Sequence, residues 1–322
     1  MRDERVFLVL LLSFVVLISA TCGNKVSTLT VVQAPPERIL SRTAVVSYTL
    51  HDPVVIANDS DFVAQGWPGN GTAEDPYRIE NLEIHAQSSI AIKIVDTRSH
   101  FVIRNCYIKY DASYGIYVNN ATNGRITDCI VSDRVCAIYI ENSTDFVVES
   151  NVVSNIDLYG IRVPSSERVT IRNNTIYECH YDGIRIQNGV DIGVLNNTIS
   201  ALGHGIDLRT SDNCTVDGNA LDGCSVAIFS DNASQWYHNI TVDNTVNGKP
   251  IGYFVEEYNT SIDAHVYGQV ILANCSEVTV FNASIHDVST AIEFGHCSNC
   301  VIRDSMVNHT CCLLYTSPSP RD

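Results

Sequence analysis

Six side chains recur at one offset in this sequence. Tyr117, Tyr139, Arg162, Arg185, Asp207 and Phe229 each stand one residue after an apolar Ile. Two more, Asp182 and His204, stand two residues before the Ile of their own segments. Aromatic rings beside guanidinium forks and a carboxylate are the groups that hold a sugar chain. Its C–H faces stack on rings, and its hydroxyls take paired hydrogen bonds. Asp182, His204, Asp207 and Arg185 are also acid–base groups, the material of a polysaccharide lyase or a glycoside hydrolase. The same residues have a plainer account, a solvated sheet face on which Arg185 and Asp207 pair across strands.

Catalysis asks for more than these residues. Gly203-His204-Gly205 resembles the Gly-His-Gly of polygalacturonase-type hydrolases, but the Asn-Thr-Asp, paired-Asp and Arg-Ile-Lys elements found there are missing. A lyase would set Arg162 or Arg185 with Asp207 against a calcium-bound uronate, and no acidic cluster for Ca2+ is evident. No Ser-His-Asp series or phosphate loop is present. No catalytic residue and no cofactor is therefore assigned, and Ca2+ belongs only to the lyase alternative. The twelve cysteines invite a metal or disulfide account. Their offsets favour core filling, since Cys106 and Cys129 share one repeat position, Cys214 and Cys300 a second, and Cys179 and Cys224 a third. Cys106 and Cys129 would stack on adjacent rungs, within reach of a disulfide if oxidised. His296-Cys297-x-x-Cys300 with His309 and Cys311 has zinc-like spacing, but Cys300 is expected to point inward, so no metal site is assigned.

What must position these groups is a repeat. The segments Ile103–Ile108, Ile126–Val131, Val148–Val153, Ile171–Ile176, Val194–Ile199 and Val216–Leu221 align without gaps. Their fourth positions fall at 106, 129, 151, 174, 197 and 219, a step of 22 or 23. Two further registers run alongside. One is Ile116, Ile138, Ile161, Ile184, Ile206 and Ile228; the other is Phe101, Gly124, Phe146, Val169, Ile192 and Cys214. Three short alternating strands per repeat cannot each bury a face alone. Coiling the chain stacks every apolar position on its equivalent one turn later. The expected fold is all-β: a single-stranded right-handed parallel β-helix of about nine rungs, rising roughly 4.8 Å each. Asn151, Asn174, Asn197 and Asn219 fit an internal amide ladder.

The expected organisation has four parts: a signal peptide or uncleaved anchor over 1–20, an N-terminal segment and cap over 21–76, the β-helix over 77–312, and an atypical tail over 313–322. Val6 to Ile18 is apolar apart from Ser13 and is followed by Ser19-Ala20-Thr21, which reads as a secretory leader. An extracytoplasmic protein, secreted or at the cell surface, is expected, touching a membrane only through an uncleaved leader. The periodicity breaks over 239–268, read as a loop or hairpin projecting from one turn. Thirteen Asn-x-Ser/Thr sequons are present, and those in turns are candidates for glycans. The formal net charge of −16 excludes a nucleic-acid partner. It also opposes a strongly anionic polysaccharide unless a cation or local basic patch intervenes. Nothing in the sequence specifies an oligomer.

These registers resemble the parallel β-helix repeats of the NosD-like, carbohydrate-binding and sugar-hydrolase (CASH) superfamily, over roughly residues 50–310. Asn244-Thr-Val-Asn-Gly-Lys-Pro-Ile251 looks like a NosD-type insert. Gly69-Asn-Gly-Thr72 with Asp75-Pro-Tyr77 is similar to the opening segment of archaeal surface proteins in that group. The resemblance implies the fold strongly and the chemistry weakly, because one rod carries many functions. The leading expectation is a glycan-binding or structural, adhesive protein of the cell envelope, with Tyr117, Tyr139, Arg162, Arg185 and Asp207 as ligand contacts. A lyase or hydrolase on the same face, with Asp182, His204, Asp207 and Arg185 as acid–base candidates, is the first alternative. A NosD-like periplasmic maturation factor is the second.

Overall fold

The computed structural model describes residues 47–86, 90–110 and 113–316. The expected leader lies outside them. In each repeat the chain alternates inward apolar and outward polar residues, so one face of every strand seeks the interior. Ile103, Ile126, Val148, Ile171, Val194 and Val216 pair rung on rung in parallel register, and all are fully buried. Eight such strands make one wall, a three-stranded sheet continues the coil, and a nineteen-stranded sheet forms the rest. The molecule is a right-handed parallel β-helix of about ten turns.

The asparagine ladder is present and extends one rung further, to Asn244. The amide oxygens of Asn174, Asn197, Asn219 and Asn244 each accept two hydrogen bonds from the asparagine one turn earlier, and that of Asn151 accepts the Cys129 N–H. Asn151, Asn174 and Asn197 each donate Nδ2 to the next Oδ1 at 3.0 Å, and Asn219 does so at 2.8 Å. Their backbone N–H groups reach the same oxygens at 2.9–3.0 Å. Cys106 and Cys129 fill the two positions that precede the ladder, fully buried as free thiols.

Pairing begins before Tyr77. Thr49–Leu50 lies beside Leu82–Glu83, and Val54–Ile56 beside Ile92–Ile94. A short helix, Asp59–Ala64, follows, capped by Asn58 accepting from the Ser60 amide. Its buried Phe62 stacks on Tyr77 at 4.5 Å and lies 5.9 Å from Phe101, closing the bottom of the aromatic ladder. At the other end the Met306–Thr316 strand pairs with Ser284–Gly295 as far as Thr316, taking in the start of the expected tail.

The 239–268 segment is built into the wall and does not project from it. Asn239–Ile240 and Thr245–Val246 continue the parallel stacking on Thr215–Asp217 and Ala220–Asp222. Asn247 and Gly248, at φ 49° and 77°, then turn the chain antiparallel so that Val246 pairs with Lys249. A two-residue Asn-Gly loop favours this hairpin because both residues tolerate left-handed backbone. Lys249–Val255 starts a second stack with Gln269–Ala273 and Ser284–Gly295.

The two stacks meet side-on. Among the described residues the Val226–Phe229 strand has no backbone neighbour on its upper edge, and side chains from the outward face of the second stack serve it. Gln269 bonds both the Val226 amide at 3.0 Å and its carbonyl at 2.5 Å. Glu293 accepts the Ile228 amide at 3.0 Å, and Ser289 meets Ser225 at 2.7 Å. Every residue of Gln269–Ala273 is consequently buried on both faces. Trp236 seals the joint over Gly295, where an added Cβ would sit 2.1 Å from the indole.

Candidate functional site

The outward column expected from the sequence is real as far as Asp207. Lys93, Tyr117, Tyr139, Arg162, Arg185 and Asp207 stack in register across six turns. Phe229 is displaced by two residues: Asp207 pairs with Ala227, and Phe229 pairs with Arg209. Ser200 aligns with Asp222, and the path from there to the next strand is two residues shorter at Asp222–Val226 than at Ser200–Ile206. A slip of two leaves the inside–outside alternation intact, so the pattern of apolar residues does not reveal it.

At the column's near end, Tyr117 and Tyr139 are stacked at 5.5 Å and 14°. An open groove of about 510 Å³ beside them is lined by Ile90, Lys93, Val95, Asp96, Tyr114, Tyr117 and Asn119. Glu141 accepts from the Tyr117 hydroxyl at 3.2 Å and from Asn119 at 2.9 Å. The Arg162 guanidinium lies between the Tyr139 ring at 5.4 Å and the Tyr159 ring at 5.0 Å. Burial pushes the Tyr139 phenol up to about 12, against the pull of Arg162.

The far end gathers the ionisable groups. Arg185 Nη2 sits 2.7 Å from Asp182 and 2.8 Å from Asp207, while its Nε donates to Asp207 at 3.0 Å and its Nη1 to the Tyr159 hydroxyl at 2.8 Å. Arg209 adds a bond to Asp207 at 2.9 Å and lies 4.2 Å from the Phe229 ring centre. The His204 amide donates to Asp182 at 2.9 Å, and its Nδ1 lies 3.4 Å from the same oxygen. Asp182, His204, Asp207 and Arg185, named as acid–base candidates, are thus brought together.

They are less accessible than a solvated face would make them. Asp182 and Asp207 have no exposed surface, and Arg185 only 8%. Asp207, expected as a ligand contact, is engaged here by Arg185 and Arg209. Of the acid–base four, His204 retains the most exposed side chain, at 21%. Burial raises Asp182, but the His204 bonds and Arg185 outweigh it and hold the carboxyl below its usual range. Burial and the charge of Asp182 push Asp207 up despite Arg185 and Arg209. Glu293, fully buried, is pushed well above the carboxylate range by burial and further by Asp207, only partly relieved by the Ile228 amide.

Ligand atoms of Asp182, His204 and Asp207 lie within 4.8 Å of one another, the one such trio among the described residues. The cationic position between the carboxylates already belongs to Arg185. Two carboxylates and an imidazole are also too few oxygens for Ca2+. The donor set does not fit a resident calcium ion. The cysteines do not form a metal site among the described residues either. Cys300 is half-buried, its thiol directed to the Cys275 and Ser298 carbonyls, and the Cys311 side chain lies outside the described residues.

Sequence reasoning missed Glu293, Gln269, Tyr159 and Arg209. Arg209 was open to it, two residues beyond Asp207 on the same face of its strand, and so was Tyr159, which stands two residues before Ile161, the offset shared by Asp182 and His204. Glu293 and Gln269 carry no local signal, because their partners come from a different part of the coil.

A family model described as a right handed beta helix region matches residues 114–271. No curated protein matches the chain. Among solved structures the chain is similar to a double mutant of the periplasmic alginate epimerase AlgG, at 17% identity and TM-score 0.43, covering 74% of this chain and 50% of that one. It is similar to an alginate lyase from Paenibacillus sp. str. FPU-7, at 14% identity and TM-score 0.39, covering 80% and 98%. It is also similar to tailspike protein 2 of bacteriophage CBA120, at 11% identity and TM-score 0.45, covering 83% and 38%. The chain spans about half the length of the epimerase. At these identities chemistry does not transfer with the fold. No helix among the described residues is long and apolar enough to cross a membrane.

Proposed function

We propose that this protein is an extracytoplasmic glycan-binding protein whose ligand, a polysaccharide, lies lengthwise on the Tyr117-to-Arg209 face. The observation that carries the reading is the ribbon of alternating rings and guanidinium groups. Tyr117 stacks with Tyr139, Arg162 lies between Tyr139 and Tyr159, and Arg185 lies between Tyr159 and Tyr181 at 4.7 and 5.2 Å. A rung spacing of about 4.8 Å is close to the length of one sugar ring, so successive rings of a chain meet successive rungs. Tyr117, Arg162, Tyr159 and the exposed Tyr181 offer the contact surface. The buried ion pairs beneath hold that surface rigid, which lowers the entropic cost of binding.

Screening purified protein against soluble polysaccharides, reading both binding and product, tests this. Binding without new ends is expected, and Tyr117→Ala and Tyr159→Ala should each weaken it about tenfold, the worth of one ring stack. If no polysaccharide binds, the reading fails and a purely structural role in the envelope replaces it.

The half-exposed His204 beside buried Asp182 favours a second reading, in which the face turns its ligand over as a lyase or hydrolase. An imidazole oriented by a carboxylate is a competent base. New unsaturated or reducing ends, abolished by His204→Ala, would establish it. A NosD-like maturation role would show instead as stoichiometric copper on the purified protein.

A further inference from the structure

Three guanidinium groups follow one another on this face, and two of them are matched by carboxylates. Arg185 and Arg209 share Asp207, and Arg185 also takes Asp182. Arg162, one turn earlier, forms no ion pair among the described residues. Its Nη2 donates to the neutral amide oxygen of Gln187 at 3.1 Å, and its Nε is buried without a partner. Glu141, on the strand below, is engaged by Tyr117 and Asn119. Glu293 is engaged by the Ile228 amide and lies beside Asp207, away from Arg162's partners. A guanidinium with one edge out of water and no counterion is costly unless a ligand brings the missing charge. The Tyr139 and Tyr159 rings on either side shape the opening as a slot.

We propose that Arg162 is an anion subsite, and that the sugar chain bound along this face carries an oxyanion substituent seated on Arg162 between Tyr139 and Tyr159. The inference rests on the glycan reading above and adds the chemical class of the ligand. It also explains how a chain of net charge −16 takes an acidic polymer. Attraction is concentrated at Arg162, beside the carboxylate-matched Arg185 and Arg209, with Lys93 further along the same column.

Calorimetric titration of the full chain with a soluble β-1,4-glucan hexamer, its C6-oxidised uronate form and its 6-sulfated form tests the assignment. One of the two acidic forms should bind at least about tenfold tighter than the neutral hexamer, as one charge-assisted contact gives. Tighter uronate makes the anion a carboxylate, tighter sulfated chain a sulfate ester. Arg162→Gln should abolish the preference, weakening the preferred acidic form at least about tenfold more than the neutral hexamer, and Arg162→Lys should restore part of it. An unchanged urea midpoint for both variants excludes misfolding as the cause. If the neutral hexamer binds as tightly as the acidic forms, or Arg162→Gln weakens all three alike, the anion subsite falls and the glycan reading stands. If none of the three binds, the anion subsite falls, and the polysaccharide screen decides the glycan reading separately.

Discussion

Two columns of buried polar side chains run along this coil, and they are built on opposite terms. Inside, Asn151 to Asn244 repeat one residue type, and every amide gives and receives within the column or to a carbonyl one turn below. Outside, Asp182, Arg185, Asp207 and Glu293 are equally buried but differ in type, and Asp207 Oδ1 and Glu293 Oε2 are left without hydrogen-bond partners. A satisfied ladder holds rungs in register and asks nothing of a ligand. A buried charge cluster with unfilled acceptors is retained at a cost in stability. The contrast separates polar residues that make the fold from those that shape a surface on it.

Breaking the charge cluster should have the largest effect. Arg185→Met leaves Asp182 and Asp207 buried without the guanidinium that joins them, at an expected cost of about 3–5 kcal/mol. Adding Asp182→Asn and Asp207→Asn should recover most of that loss, and urea unfolding midpoints measure both. Recovery would show that charge balance, not packing, carries the penalty; a triple variant as unstable as the single one points to packing.

The inner ladder should respond next. Asn197→Ala removes the acceptor for the Asn174 amide and side chain and the donor to the Ile171 carbonyl. About 2–3 kcal/mol of destabilisation is expected. A loss below roughly 0.5 kcal/mol would mean that water enters and replaces the amide, and the two columns would then differ less than their hydrogen bonds imply.

The smallest effect concerns pH and separates Glu293 from Asp182. Glu293 has a raised pKa, so its contribution is fully present below the unfolded carboxylate value and is lost as pH rises through the folded one. Glu293→Gln keeps an acceptor for the Ile228 amide and cannot ionise. It should match wild type in acid and exceed it increasingly as the pH rises above the unfolded carboxylate value. Asp182 is lowered, so its contribution is present above the unfolded value and is lost as pH falls through the folded one. Asp182→Asn should therefore lose stability relative to wild type at neutral pH and converge with it in acid. Parallel pH profiles for the two variants would contradict the opposite shifts.

The legibility of these features follows from the range of the interactions behind them. Asn174 and Cys129 were readable as core because a period of 22 or 23 residues brings equivalent positions together through the chain's own continuity. Tyr117 through Asp207 were readable as one outward column for the same reason. Phe229 was misplaced because a loop shortened by two residues preserves alternation while moving the register. The burial of Asp207 was hidden because Glu293, which reaches Ile228 across 65 residues, belongs to another stack.

The sequence by itself determined the coil, the inward apolar ladders, the asparagine column and the set of side chains facing out. Each of these follows from a two-residue alternation within strands and a fixed step between turns. Only the tertiary structure decided which outward residues are wet. That depends on how the second stack docks its Gln269–Glu293 face on the edge of Val226–Phe229, through contacts no local periodicity encodes. Such docking buries Glu293 beside Asp207.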